Sequence, residues 1–543
     1  MTPTKRCAVI GAGASGIPSA RWALEYDYET VVFEATDEIG GLWNFKANET
    51  EFSTVGKSTV INTSKEMTAY SDYPPPATYG NYMHNLKLKK YLCNYADEFG
   101  VTPCIKFKHR VLNVERSADY EQTGRWDINY KDNGGNEHRD TFDAVLVCTG
   151  HHATPNMPKF KNQDRFKNRI IHSHSYKDHV GYEDHTVVVV GIGNLNALID
   201  ALILGNSALD VACELARIAK QVYISTRRGA WIIRKTVDNG VPADFFNSRF
   251  TGWFRSVFPN IFVWLGQRQC NKVMDHDVYG LRPKHSLIAQ HPSLSDQLHG
   301  FICSGAVIVK GNIREFTETG LIFEDGVEVP EVDDVVMATG YWFDFPYLDS
   351  GNLVPVEKNN CKLYKQMFPL NSSDKNTLCV IGLIQPLGSI MPISEMQARV
   401  FFAVQSGKVK LPSTEDQRKE IEFAIDKMWK RYVKSPRHTI QVDYSSYMDE
   451  LADMIDVKPS VWDYFFSDPS LFWRLSFGPA VAYTYRLRGI HAHPEARNMI
   501  LGVEERRIRA TRNRDTGFEL HNSNVAFWLF AAGLLVFLYK VFL

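Results

Sequence analysis

Gly11, Gly13 and Gly16 close an apolar run, in the order Cys7-Ala-Val-Ile-Gly-Ala-Gly-Ala-Ser-Gly16. The spacing predicts a strand over Cys7–Ile10, a tight turn and a helix over Ile17–Tyr26. Such a turn brings backbone N–H groups against a pyrophosphate at a helix N-terminus, an approach that side chains would block. A second apolar run, Thr30–Phe33, ends on Glu34. A carboxylate there accepts hydrogen bonds from a ribose 2′-OH and repels a 2′-phosphate, which favours FAD or NAD over NADP. The candidate cofactor contacts of this unit are Gly11, Ala12, Gly13, Ala14, Ser15, Gly16 and Glu34.

The run Val187-Val-Val-Val-Gly-Ile-Gly-Asn194 repeats the strand and glycine turn, and the opposite chemistry follows it. Where the first unit has Glu34, this one offers Ser225, Thr226, Arg227 and Arg228. Guanidinium forks match phosphate oxygens, so the second unit reads as a site for NADPH. Its candidate contacts are Gly191, Gly193, Asn194, Ser207, Ala208, Leu209, Asp210, Arg227 and Arg228. Two such turns point to an enzyme that holds two dinucleotides and moves electrons between them.

The elements that must position these turns alternate strand and helix, which predicts an α/β protein with two doubly wound, Rossmann-like domains. Asp143-Ala-Val-Leu-Val-Cys-Thr-Gly150 and Asp334-Val-Val-Met-Ala-Thr-Gly-Tyr341 share one design, an apolar strand ending in Thr-Gly. They mark the places where the chain crosses between the domains. The expected layout is a FAD-binding domain over 1–154, an inserted NADPH-binding domain over 155–340 and the second part of the FAD domain over 341–445. A helical, membrane-proximal region over 446–524 and a transmembrane tail over 525–543 complete it.

Composition narrows the class. The chain has 543 residues and a formal net charge of −1, so no global field recruits nucleic acid. Its nine cysteines form no C-x-x-C pair, against a disulfide framework, a metal site or a redox dithiol, and in keeping with a reducing compartment. The first predicted strand starts too early to leave room for a signal peptide. The stretch Val525–Leu543 is apolar except at Lys540. As a helix rising about 1.5 Å per residue it would reach about 28 Å, close to a hydrocarbon core. Five arginines in Glu504–Arg514 precede it. Positive flanks stay on the cytosolic side, so the chain reads as tail-anchored with its catalytic part in the cytosol.

Several local motifs resemble those of the flavin-containing monooxygenases: Gly40-Gly-Leu-Trp43 after Glu34, Asn62 ahead of Ser64-Lys-Glu-Met67, and Ala338-Thr-Gly-Tyr341. The family identifier is matched by Phe166, His172 and Tyr176, with Asn168 in place of the usual glycine. The resemblance runs from about residue 5 to the C-terminus. It implies that NADPH reduces FAD and that O2 adds to the flavin as a C4a-hydroperoxide. The distal oxygen then passes to a soft nitrogen or sulfur nucleophile, an amine, sulfide or thiol. It makes Asn62 the catalytic residue, hydrogen-bonding the oxygenated flavin and NADP⁺, and adds Gly41, Leu42, Trp43, Ile61 and Thr63 to the cofactor contacts. Trp43 would cover the flavin face, and His172 and Tyr176 would orient the domain linker. The resemblance also places the protein at the endoplasmic reticulum membrane and leaves room for a homo-oligomer.

Three other readings stay open. One is a Baeyer–Villiger-type oxygenase, favoured if a cation such as Arg228 lies near the flavin. Another is an oxidase that releases hydrogen peroxide. The third, a catalytically impaired, membrane-tethered NADPH-binding protein, comes from an interruption. In the family Gly-x-Gly-Asn runs directly into Ser and a helix. Here twelve residues, Leu195–Asn206, intervene before Ser207, with Gly-Asn on both sides, so the ends of the insertion are ambiguous. The expectation is that Gly191–Asn194 keeps the turn, that Leu195–Asn206 forms a separate short helix or bulges out, and that Ser207–Asp210 is displaced, impairing NADPH binding.

Overall fold

Continuous apolar strands, rather than alternating ones, set the architecture. The computed structural model describes residues 4–191, 205–370, 375–431, 439–512 and 514. Strand β1 (Arg6–Ile10) leads through the first glycine turn to α1 (Gly16–Glu25) and β2 (Glu29–Glu34). After α2 (Lys65–Thr68) and α3 (Asn85–Glu98) comes β3 (Ile105–Phe107). A meander of β4 (Arg110–Arg116), the short α4 (Tyr120–Thr123), β5 (Trp126–Lys131) and β6 (Glu137–Phe142) precedes β7 (Ala144–Val147). Side chains alternate between the two faces of a strand. Cys7 and Val9 accordingly join a core with Ile17, Ala20 and Leu88, while Ala8 and Ile10 join another with Trp126, Ile128 and Phe142. Both faces are covered, which is why the run is apolar throughout.

The chain leaves this unit through β8 (Thr154–Pro155). The second unit contains β9 (Arg169–His172), β10 (Thr186–Val190), α5 (Gly205–Leu215) and β11 (Gln221–Ser225). Next come β12 (Ile232–Ile233), α6 (Arg249–Val257), α7 (Pro259–Val273), β13 (Ser293–Leu294), α8 (Leu298–Cys303) and β14 (Val307–Lys310). A second meander, β15 (Ile313–Phe316), β16 (Leu321–Phe323) and β17 (Glu328–Val329), leads into β18 (Asp334–Met337). The sheet runs β14-β11-β10-β18-β9 with every pair parallel. Val187 and Val189 face Ala208, Leu209 and Leu215 of α5, and Val188 and Val190 face Ile313, Phe316 and Phe323 of the meander.

Both units therefore differ from the expected double winding in the same way. Among the described residues, helices cover one face of each parallel sheet and a three-stranded antiparallel sheet covers the other. An antiparallel sheet can bury one face and leave the other in water, so a short meander closes the core.

Strand β19 (Tyr341–Trp342) carries the chain back and pairs antiparallel with β8, Tyr341 opposite Pro155. Asn156 locks this crossing: its N–H donates to Gly340 O at 2.7 Å, and its side-chain amide donates to Thr339 O at 3.1 Å. After β20 (Leu363–Tyr364) and β21 (Phe368–Pro369), β22 (Leu378–Val380) enters the first sheet beside β7, giving the parallel order β22-β7-β1-β2-β3. The second sheet is thus inserted in the chain between two parts of the first.

Helix α9 (Ile390–Gln405) packs on α1, and α10 (Thr414–Arg431), α11 (Tyr444–Met454), α12 (Pro469–Phe477), α13 (Ala496–Leu501) and α14 (Val503–Arg509) follow. The apolar stretch Val525–Leu543 lies outside the described residues. Among the described residues no helix is long and apolar enough to cross a membrane. Helices α6 and α7 and the segment before α12 do expose large aromatic side chains: Trp253 at 55%, Trp264 at 57%, Trp462 at 73% and Phe466 at 91%.

Candidate active site

The first glycine turn is fixed by backbone crowding. Gly11 has φ +106°, and a Cβ there would lie 2.7 Å from Cys148 O. A Cβ on Gly16 would lie 1.8 Å from Gly11 O, so the helix can start this close to the strand only without a side chain. Gly41, at φ +53°, approaches Gly13 so closely that its Cβ would sit 3.1 Å from Gly13 Cα. The Gly41-Leu42-Trp43 turn is therefore held against the phosphate turn. Tyr70 OH donates to Ala14 O at 2.7 Å, and Ser15 Oγ meets Ser394 Oγ of α9 at 2.9 Å. Glu34 is buried; its Oε2 accepts from Ala12 N at 2.8 Å, and its Oε1 accepts from Thr36 N at 2.8 Å and Thr36 Oγ1 at 2.7 Å. A carboxylate has about four acceptor positions, so a place is left for a ribose hydroxyl.

The loop Ile61–Ser64 runs beside the segment before α3. Ile61 N donates to Met83 O at 3.0 Å, and Thr63 Oγ1 meets Thr68 Oγ1 at 2.8 Å. Asn62 Oδ1 is buried and has no hydrogen-bond partner among the described residues. The next backbone amide, Ser64 N, donates to Asp244 Oδ2 of the inserted unit at 2.6 Å.

In the second unit Gly191 has φ +133°, and a Cβ there would lie 2.1 Å from Ala338 O. Its N–H donates to Ser225 O at 3.2 Å, which sets the end of β11 beside the turn. Arg227, half-buried, and Arg228, exposed, follow directly. Gly193, Asn194 and the rest of 192–204 lie outside the described residues. The described part of helix α5 spans Gly205–Leu215 and packs on the sheet, with Ala208, Leu209, Ala212 and Leu215 all fully buried. Ser207–Asp210 form its first turns, and Asn206 Oδ1 accepts from Leu294 N of β13 at 2.7 Å. Asp210, whose carboxyl burial pushes up to about 6, lines a cavity of about 240 Å³ with Ser58, Thr59, Lys235 and Asp296. The two units meet there.

Residues 4–543 match the model of the flavin-binding monooxygenase-like family. This chain belongs to that family. The flavin-containing monooxygenase 5 of Rattus norvegicus is 44% identical to it over 510 residues, 92% of each chain. The N-oxide-forming dimethylaniline monooxygenase 2 of Rattus norvegicus is 41% identical over 515 residues, 94% of each chain. Among solved structures, the S-allyl-L-cysteine S-oxygenase from Allium sativum shares the fold, with a TM-score of 0.61 and 23% identity over 83% of this chain and 88% of that one. The protein is an oxidoreductase of the flavin-containing monooxygenase family, and FAD and NADPH are its cofactors.

The residues of this monooxygenase fit a flavin dinucleotide: glycine backbone that a Cβ would fill, an acceptor position left on Glu34, and the orphaned Asn62 Oδ1. The structure also adds groups that no local motif announced. Asp244 reaches Ser64 from 180 residues away. Around the domain crossing the half-buried His152 and the buried His172 pack against Tyr341, both pushed down to about 4 by desolvation, and the buried His151 packs on His152. The paired histidines after Gly150 were the available signal, but burial is not visible in a sequence.

Proposed function

We propose that this monooxygenase uses NADPH and O2 to transfer one oxygen atom to a soft nitrogen or sulfur nucleophile, releasing NADP⁺ and water. Bound FAD supplies the redox chemistry, taking hydride from NADPH and activating O2. The chain supplies position and shelter. Glu34 shapes the phosphate turn and receives the ribose, while Leu42 and Trp43 cover the ring. Arg227 and Arg228 hold the 2′-phosphate of NADPH. Asn62 offers one donor and one acceptor that do not titrate, so it can hold a polar group at the flavin without trading a proton. The observation that carries this reading is Asn62 Oδ1, buried without a partner on the flavin-side loop. A buried acceptor left unmade costs about 1–3 kcal/mol, which a bound group would recover.

For the interrupted fingerprint we read Gly205-Asn206, rather than Gly193-Asn194, as the pair that stands before Ser207. The place of Gly205 and Asn206 in α5 directly before Ser207, and the Asn206–Leu294 hydrogen bond, support this. For location, we read Val525–Leu543 as an anchor in the endoplasmic reticulum membrane with the catalytic part cytosolic. The exposed tryptophans of α6 and α7 suit the headgroup zone of the same membrane.

The test measures NADPH consumed, peroxide released and product oxygenated, with methyl sulfides, tertiary amines and cyclic ketones as probes. Sulfoxide or N-oxide formed in near-stoichiometry with NADPH supports the reading. Ester formed from ketone overturns the substrate class, and peroxide alone overturns oxygenation. Asn62→Leu should raise peroxide per NADPH severalfold; unchanged coupling would make Asn62 structural.

A further inference from the structure

The segment 235–249 of the inserted unit does not stay on its own sheet. Val237 N donates to Val241 O and Ala243 N to Lys235 O, both at 2.8 Å, which closes a tight hairpin ending in the Ala243–Phe246 turn. This arm is seated in the flavin unit. Phe245 belongs to the core formed around α1, α3 and α9. Tyr82, ahead of α3, donates to Lys235 O. Asn247 O accepts from Ala480 N at 2.9 Å, and Arg249 makes a two-pronged ion pair with Asp449 of α11 at 2.6 and 2.9 Å. Asp244 sits at the tip, and its Oδ2 takes the Ser64 N–H at 2.6 Å.

Ser64 starts α2, and its own hydroxyl makes no capping bond. Among the described residues, the partner of the Ser64 N–H comes from the other unit. Asn62 Oδ1 is buried without a hydrogen-bond partner among the described residues, on the short loop that the arm touches. A carboxylate in that setting makes a strong, charge-assisted bond to backbone.

We propose that Asp244 is the positioning residue for Asn62: from the inserted unit it fixes the backbone of the flavin-side loop that carries this amide. The role rests on the reading of Asn62 given above. It makes the aim of Asn62 depend on the docking of the arm, so that the loop is set only when the two units are joined. Burial pushes the Asp244 carboxyl up to about 6, opposed by the Ser64 N–H. The titratable groups facing it are the Tyr82 and Tyr444 phenols, both held protonated by burial, with the Arg249–Asp449 pair beyond Tyr444. The bond to Ser64 is thus at full strength above pH 6 and weakens as pH falls through that value.

The experiment compares full-length wild type, Asp244→Ala, Asp244→Asn and Asn62→Leu. The first readout is amide hydrogen exchange of the Ile61–Thr68 segment, with and without FAD. The second is peroxide released per NADPH. Phe245 and Arg249 keep the arm seated in each variant. Asp244→Ala should exchange about tenfold faster in both forms, the loss of one charge-assisted hydrogen bond, and should release peroxide like Asn62→Leu. Asp244→Asn, whose amide oxygen still accepts from Ser64, should restore slow exchange and coupling. Protection of the segment, exchange relative to the intrinsic rate at each pH, should fall in wild type between pH 7 and 5 while that of Asp244→Asn stays flat. Unchanged exchange or coupling in Asp244→Ala, with Asn62→Leu uncoupled, overturns this inference alone. Full coupling in Asn62→Leu overturns the reading of Asn62 and the positioning role with it.

Discussion

The carboxylate of Glu34 reaches back to the amide of Ala12, Oε2 to N at 2.8 Å. The end of β2 and the phosphate turn after β1 are thus one unit before any ligand arrives. Glu34 then holds the turn, in addition to the ribose contact proposed for it. Glu34→Ala should cost about 2 kcal/mol of stability, because a buried N–H loses a charged acceptor, and should release FAD more readily. Thermal unfolding followed by flavin fluorescence checks both. A variant that retains FAD and melts like wild type would show the bond to be incidental.

On the proposed reading, cofactor choice at the second site rests on Arg227, two residues after Ser225, whose carbonyl accepts the Gly191 N–H. Arg227→Ala should raise the apparent KM for NADPH by about tenfold or more, the worth of a charge-assisted pair of bonds. The KM for NADH should barely change. Equal losses with both coenzymes would move the 2′-phosphate elsewhere.

The duplicated Gly-Asn can be separated by point substitution, whereas deletions of 193–204 and of 195–206 yield the same chain. Gly205→Val should weaken NADPH binding and slow flavin reduction by about tenfold, since a side chain would meet the approaching phosphate. Gly193→Val should have little effect. Anaerobic stopped-flow reduction measures this, and the reverse ranking would return the fingerprint to Gly193-Asn194.

The buried histidines give a pH dependence of definite sign. His152 and His172 are both lowered to about 4 by burial, below the value near 6.5 of an unfolded histidine. Between these values the unfolded chain binds more protons than the folded one, so their contribution is lost as pH falls from about 6.5 toward 4. It amounts to about 3 kcal/mol for each. Asp210 and Asp244, raised to about 6, slope the opposite way, with stability falling as pH rises from about 4 to 6. His172→Asn should flatten the acid side of the melting-temperature profile relative to wild type. A parallel profile would mean that His172 titrates normally in the fold.

Removing Val525–Leu543 should shift the protein from membrane to soluble fraction while flavin content and NADPH oxidation persist. If sedimentation with membranes is unchanged, the exposed Trp253, Trp264 and Trp462 faces are sufficient by themselves. Replacing all three with serine in the shortened chain distinguishes the two contributions.

What the sequence determined by itself is local. Gly11, Gly13 and Gly16 can be read because a turn that admits no Cβ leaves its mark within six residues. The strand ends at Glu34 and Ser225 can be read because each neighbouring strand falls at a set distance from its turn, which brings Glu34 to Ala12 and Ser225 to Gly191. The unbroken apolar runs at Cys7–Ile10 and Val187–Val190 likewise announce sheets buried on both faces. They could not say what covers the second face, since a helix and a meander bury the same valines. The place of the second Gly-Asn was equally hidden. Gly-Asn occurs twice, and the packing of Ala208, Leu209 and Ala212 on the sheet puts Gly205 and Asn206 in the helix just ahead of them. Nor could the chain announce that Asp244 meets Ser64. Its position in the sequence carries no period and no motif, and its partner is a backbone N–H, which every residue but proline possesses. The tertiary structure decided that pairing by seating Phe245 in the flavin-side core, because apolar burial, which has no directional signature in sequence, fixes where a neighbouring carboxylate must point.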